Sequence, residues 1–243
     1  MEVRDGFIVG VFNYCDSWCK RCIFTSRCHV FADIAMHEAA LDSNLKPIVD
    51  APPVREELPT PPPRWLQELI DDANDACRNP PSLEEWERIG PRIPSEHAPI
   101  DRRARKYAFR VHLWRTARDE SPHDASDEAT EVITWFHFLI SAKINRALNV
   151  WPDEDPEYMA SDADGSAKVA LIGIERSHAA WLDLVERGLI SAVEAEPFIA
   201  DLVWLGESLE QARPRARAFI RPGFDEPEAV AKLLASEQRT GNS

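Results

Sequence analysis

From Ala98 to Arg213 the chain offers four long stretches in which apolar residues recur every three or four positions, separated by short polar joints. That period marks one face of an α-helix, and no stretch alternates in the manner of a half-buried strand. The four read APIDRRARKYAFRVHLWRTARDE, SDEATEVITWFHFLISAKINRALN, DADGSAKVALIGIERSHAAWLDLVERG and SAVEAEPFIADLVWLGESLEQAR. In the second, Val132, Ile133, Phe136, Leu139, Ile140, Ile144, Ala147 and Leu148 form one broad stripe, and Ser126 is the expected N-cap. The third is apolar around most of its circumference, which predicts a central position, and Gly188 is its expected stop. Ser191 is placed to cap the fourth. The expected fold class is all-α: an irregular helical bundle with a small N-terminal metal-binding lobe.

Composition supports a packed core, since 44% of 243 residues are hydrophobic and eight are tryptophan. Residues 1–46 form the cysteine-rich lobe and end in a short helix, ADIAMHEAALDSNL. Residues 47–63 carry seven prolines, which remove backbone donors and fix φ, so they read as an extended strap. Residues 64–243 form the helical body, expected to fold as one unit with the lobe. Its first part adds a helix with Trp65, Leu66, Leu69, Ile70 and Ala73 at helical spacing. A second helix starts at Ser82, where Glu85 completes a capping box. The tail ends in a short helix, EPEAVAKLLASEQ.

A formal charge of −14 repels a polyanion at long range, so nucleic acid is not an expected partner. No apolar run approaches the roughly 20 residues that span a bilayer, so no membrane anchor is expected. The opening MEVRDGFIVGVF places charges before a short apolar run and lacks a small-residue cleavage site. The expected compartment is therefore the cytoplasm, where thiols stay reduced and clustered cysteines bind metal more often than they pair.

Four of the five cysteines, Cys15, Cys19, Cys22 and Cys28, follow the spacing C-x3-C-x2-C-x5-C. A structural zinc usually draws on two C-x2-C knuckles a dozen or more residues apart, and only one such pair is present. A [4Fe–4S] cube is larger, and one continuous loop can wrap it, so the spacing favours the cube with zinc as the alternative. Lys20, Arg21 and Arg27 interleave with the cysteines and offset the charge of a thiolate-ligated cluster, while Tyr14, Trp18 and Phe24 are placed to shield it. His29 follows Cys28 directly and is expected to point away, and Cys77 stands apart as a core thiol.

Cys15-x3-Cys19-x2-Cys22 is similar to the three-cysteine motif of radical S-adenosylmethionine enzymes. Arg21 stands where that family has an aromatic, and the family's barrel is missing, so its activity is not expected. Cys19-x2-Cys22-x5-Cys28 resembles the terminal staple of iron–sulfur RecB-type nucleases and of auxiliary-cluster domains. The segments NYCDSWCKRCIFTSRC and DADGSAKVALIGIERS together resemble an uncharacterised bacterial protein family across most of the chain. That last resemblance implies no particular activity.

Charged residues on apolar helix faces raise a second possibility. Glu175 and His178 form E-x-x-H, half of a di-iron carboxylate motif, but Glu131 and His137 on the neighbouring helix do not repeat its spacing. Buried charges need partners, so Lys143, Arg146, Lys168 and Arg176 are expected to meet Glu131, Asp127 or Glu175. DADGSAK, taken as a helix start, puts Gly165 and Ser166 at a positive helix end suited to an anion. The seven Lys and Arg between Arg102 and Arg118 read chiefly as internal ion-pair partners, with docking of an acidic partner or a nucleic-acid backbone as the sharper reading. Three functions stay open: a [4Fe–4S] protein for electron transfer or redox sensing, with a redox partner; a zinc-stapled interaction protein with a protein partner; and an enzyme. The enzyme would use Glu131, Lys168, Glu175 and His178 as catalytic candidates around a di-metal or anionic-ligand site.

Overall fold

The computed structural model describes residues 1–44, 92–119, 127–150 and 155–232, with positions 64, 67, 68, 71 and 78 between them. The proline strap, the helices expected around Trp65 and Ser82, and Cys77 lie outside the described residues. A two-residue hairpin, β1 (Val3–Arg4) paired antiparallel with β2 (Phe7–Ile8), opens the chain. Helix α1 (His29–Asn44) follows the cysteine segment, then α2 (Ala98–Asp119), α3 (Glu128–Leu148), α4 (Pro156–Glu186) and α5 (Ala192–Ala212). The all-α expectation holds, and the hairpin is the only named sheet among the described residues.

Helices α2 to α5 close a ring, with α2 on α3, α3 on α4, α4 on α5 and α5 back on α2. The core between them comprises Tyr107 and Val111 from α2, Ile133, Phe136, Ile140, Ile144 and Leu148 from α3, Leu171 and Trp181 from α4, and Leu202, Leu205 and Leu209 from α5. The stripe read from the sequence of α3 is the face it buries. Trp181 is fully buried, stacks on Phe198 at 4.4 Å between centroids, and donates its indole N–H to the Tyr107 hydroxyl at 3.3 Å. Small residues bring α4 close to α3: a Cβ on Gly173 would lie 3.0 Å from both Phe136 Cδ1 and Ile140 Cγ1.

The helix ends show where sequence and structure part. Asp155 caps α4, accepting from the amides of Glu157 and Tyr158 at 2.8 and 3.0 Å, and Pro156 occupies the first turn. The helix thus begins six residues before Asp162, and Gly165 and Ser166 lie well inside it. The anion-binding helix end expected there does not exist. Asp127, not Ser126, caps α3 through the Thr130 amide. Ser191 caps α5 through the Glu194 amide, and Gly188 at φ 70° follows the end of α4, both as expected.

Candidate metal centre

The cysteine segment is built from turns. Cys15 Sγ accepts the Ser17 amide at 3.4 Å, and Asp16 Oδ1 accepts the Trp18 amide at 3.1 Å. A 3-10 turn spans Cys19–Arg21, Cys22 Sγ accepts the Phe24 amide at 3.4 Å, and a second 3-10 turn spans Thr25–Arg27 before Cys28 leads into α1. Two of the four sulfurs thus receive a backbone N–H from two residues ahead, a contact that tunes cysteine-ligated centres.

All four cysteines line one cavity of about 20 Å³, among Val11, Phe12, Trp18, Phe24, Phe31 and Phe224. None is in a disulfide. Burial pushes the Cys19 and Cys22 thiols up; beyond burial, Cys15 and Cys28 raise Cys19, and Cys15 and Cys19 raise Cys22. Among the described residues no group of three or more His, Cys, Asp or Glu is placed to hold a metal ion as it stands. The thiols ring a space and do not converge on a point.

The lobe is fastened to the bundle by the residues between its cysteines. Asp16 pairs with Arg176 at 2.8 Å, and its carbonyl accepts the Trp135 indole N–H at 2.8 Å. Lys143 donates to the Asn13 carbonyl at 2.9 Å. Arg21 reaches Glu128 at 3.0 Å and Glu131 at 2.8 Å while lying over the Trp18 ring. Trp18 stacks on Trp135 at 5.2 Å between centroids and meets Phe136 edge-on. Tyr14 donates to Asp162 at 3.2 Å, and burial beside that carboxylate pushes its hydroxyl up to about 12. Its ring packs on Phe219 over Gly165, where a Cβ would lie 2.4 Å from Tyr14 Cε1.

Several charge assignments from sequence are corrected by these contacts. Arg21 and Arg27 anchor the loop, Arg21 through Glu128 and Glu131 and Arg27 through the Gly6 carbonyl at 3.0 Å. Trp18 and Phe24 line the cavity as expected, but Tyr14 does not. His29 turns away as expected and pairs with Asp33 at 3.1 Å. Of the cations expected to meet Glu131, Asp127 or Glu175, none does: Lys143 and Arg176 hold the lobe, Arg146 grips Asp162, and Lys168 reaches Asp225 at 2.8 Å. The partners come from segments remote in sequence, which periodicity cannot reveal.

The four catalytic candidates do not share a site. Glu131 is paired with Arg21, Lys168 with Asp225, and Glu175 with Arg217. Only Glu175 and His178 lie together, in an open groove of about 290 Å³ between α4 and α5 that also holds Glu207, Glu210 and Arg217. The basic helix α2 behaves as the internal-pairing reading expects, with Arg103 on Asp201 at 2.7 Å, Arg105 on Asp101 at 2.6 Å and Arg110 on Asp201 at 3.2 Å.

Sequence reasoning missed Phe224, which reaches the cavity from the C-terminal segment and meets Phe24 edge-on at 4.9 Å. No signal of spacing links residue 224 to residue 24. No described helix is long and apolar enough to cross a membrane. Comparison of the chain with protein-family models, curated proteins and solved structures finds no match.

Proposed function

We propose that Cys15, Cys19, Cys22 and Cys28 hold a [4Fe–4S] cluster and that the chain serves electron transfer or redox sensing. One observation carries this reading: four thiols from a single loop border one apolar cavity. A single zinc needs its sulfurs about 2.3 Å from one point. The cavity of about 20 Å³ holds little more than one water-sized sphere. The preference for a cube over zinc therefore rests on the C-x3-C-x2-C-x5-C spacing within one loop, and loading a cube requires the loop to open. When bound, such a cluster supplies one-electron redox chemistry.

The chain's own residues do the rest. Phe24, Trp18 and Phe224 keep water from the cavity, which bears on reduction potential. The Ser17 and Phe24 amides stabilise negative charge on the sulfurs of Cys15 and Cys22. Ion pairs through Asp16 and Arg21 fix the loop on α3 and α4. The raised Cys19 and Cys22 thiols are protonated at neutral pH, so loading metal releases protons.

The test is Cys22→Ser, purified without oxygen and analysed for iron and acid-labile sulfide. The expected result is loss of most of both while the helical circular dichroism persists. Full metal retention in that variant sinks the ligand assignment.

A further inference from the structure

Two outer faces of the bundle carry unanswered charge of opposite sign. On α2, Arg102, Lys106, Phe109 and Leu113 follow one another at helical spacing and all are exposed, the two apolar ones by 58% and 52%. Arg103, Arg105 and Arg110 are taken up by Asp101 and Asp201, but Arg102 and Lys106 make no ion pair or hydrogen bond among the described residues. No acidic residue lies between positions 102 and 118. Phe138 of α3, 54% exposed, extends the apolar part, with its ring centroid 5.7 Å from that of His112 on α2. The α4–α5 side is the converse. Its groove is lined by Leu171, Ile174 and Leu202, with exposed Val203 at the lip and Glu175, Glu207 and Glu210 beside them. Arg217 answers Glu175 and Glu210. Glu207 has no cationic partner among the described residues. Neither has Glu196, on the same stripe of α5, nor Glu186, which follows His178 and exposed Leu182 along α4.

We propose that the α2–α3 face of one copy of this chain docks on the α4–α5 face of another. Charge complementarity selects the occupant: the basic, apolar face has its acidic, apolar counterpart on the same molecule. The spacing agrees. Lys106 and Phe109 are about one helical turn apart, and so are Glu207 and Val203. With α2 antiparallel to α5 across the contact, Lys106 over Glu207 sets Phe109 over Val203. Because α2 to α5 close a ring in order, the two faces lie on opposite sides of the bundle. The contact is therefore head-to-tail, and copies add in a row rather than pairing about a two-fold axis. Neither face contributes to the thiol cavity, so the assignment is independent of the metal.

The test is sedimentation velocity of the full chain, purified without oxygen, from about 5 to about 500 μM at low and at high salt. The expected mean mass rises with concentration past that of a dimer and falls back at high salt. Lys106→Glu and Glu207→Lys both change exposed helix positions, so each should keep the helical circular dichroism. Each should weaken association about tenfold or more. An equimolar mixture of the two variants should regain it, since the reversed face of one fits the reversed face of the other. Arg102→Glu takes the place of Lys106→Glu if that variant fails to fold. A monomer at every concentration and salt leaves these faces to some other protein and overturns the proposal. Association that both single variants retain, or a mixture that stays monomeric while the wild type associates, overturns it as well.

Discussion

Gly165→Ala tests whether the fit of the lobe against α4 governs the metal centre. In an exposed helix interior this change stabilises by about 1 kcal/mol, because alanine has the better helix propensity. Here the new methyl would stand 2.4 and 2.6 Å from two atoms of the Tyr14 ring and 2.8 Å from Phe219 Cζ. The Tyr14 ring is tied through its hydroxyl to Asp162, and the Lys168 bond to the Phe219 carbonyl fixes the backbone from which the second ring projects. Overpacking of this kind costs roughly 1–3 kcal/mol, and a strained Tyr14–Asp162 hydrogen bond adds about 1 more. After the propensity gain, a net loss of about 2 kcal/mol remains, or roughly 4–8 °C in Tm for a chain of this size. Because Tyr14 adjoins Cys15, metal content should fall as well. Gly206→Ala is the control: its new methyl meets only Ile174 Cγ2 at 3.7 Å, so it should be neutral or stabilising by up to about 1 kcal/mol. Urea denaturation of both variants reads the difference. If Gly165→Ala is as stable as Gly206→Ala and binds as much metal, the packing argument is wrong.

Further predictions concern the core and the acid response. Trp181→Ala removes a fully buried indole from the centre of the bundle and should cost about 3–5 kcal/mol by urea titration, while the folded fraction keeps its metal. His137 is buried with no hydrogen-bond partner for Nε2 among the described residues, and burial holds its pKa below the usual value, so the unfolded chain binds the proton first. Stability should therefore decline as pH falls below about 6.5, and His137→Phe should flatten that decline in pH-dependent thermal melts. Asp225 accepts from Arg221 and Lys168, which together hold its carboxyl well below the usual range despite partial burial. Its contribution is present above the unfolded pKa near 4 and lost as pH falls toward the depressed folded value. Asp225→Asn should thus lower stability at neutral pH and shrink the loss between about pH 4 and pH 2.

What was legible in the sequence followed from local physics. Of the α3 stripe from Val132 to Leu148, all but Val132 and Leu139 are buried and those two are partly so, because a single helix face sets the spacing. The Ser191 cap and the Gly188 stop are decided within a few residues of chain. The start of α4 was misread because Gly165 and two aspartates resemble a first turn. In the fold, Asp162 is a buried partner of Arg146, Asp164 meets Arg215 at 3.2 Å, and Gly165 makes room for Tyr14. Each of those reasons lies in a different element. The same holds for the charges: Asp16, Arg21, Arg217 and Asp225 come from loops and short turns whose docking leaves no periodic trace. The cysteine spacing pointed to one shared space, which the fold provides, but the aromatic wall from Phe224 depends on tertiary return of the chain.

The central claim is that the four thiols hold an iron–sulfur cube. The direct measurement is an absorption spectrum with iron, sulfide and zinc quantified on protein purified without oxygen. The account predicts a broad band at about 400 nm that bleaches on reduction, with about four irons and four sulfides per chain. A colourless protein with no iron and about one zinc per chain would contradict it.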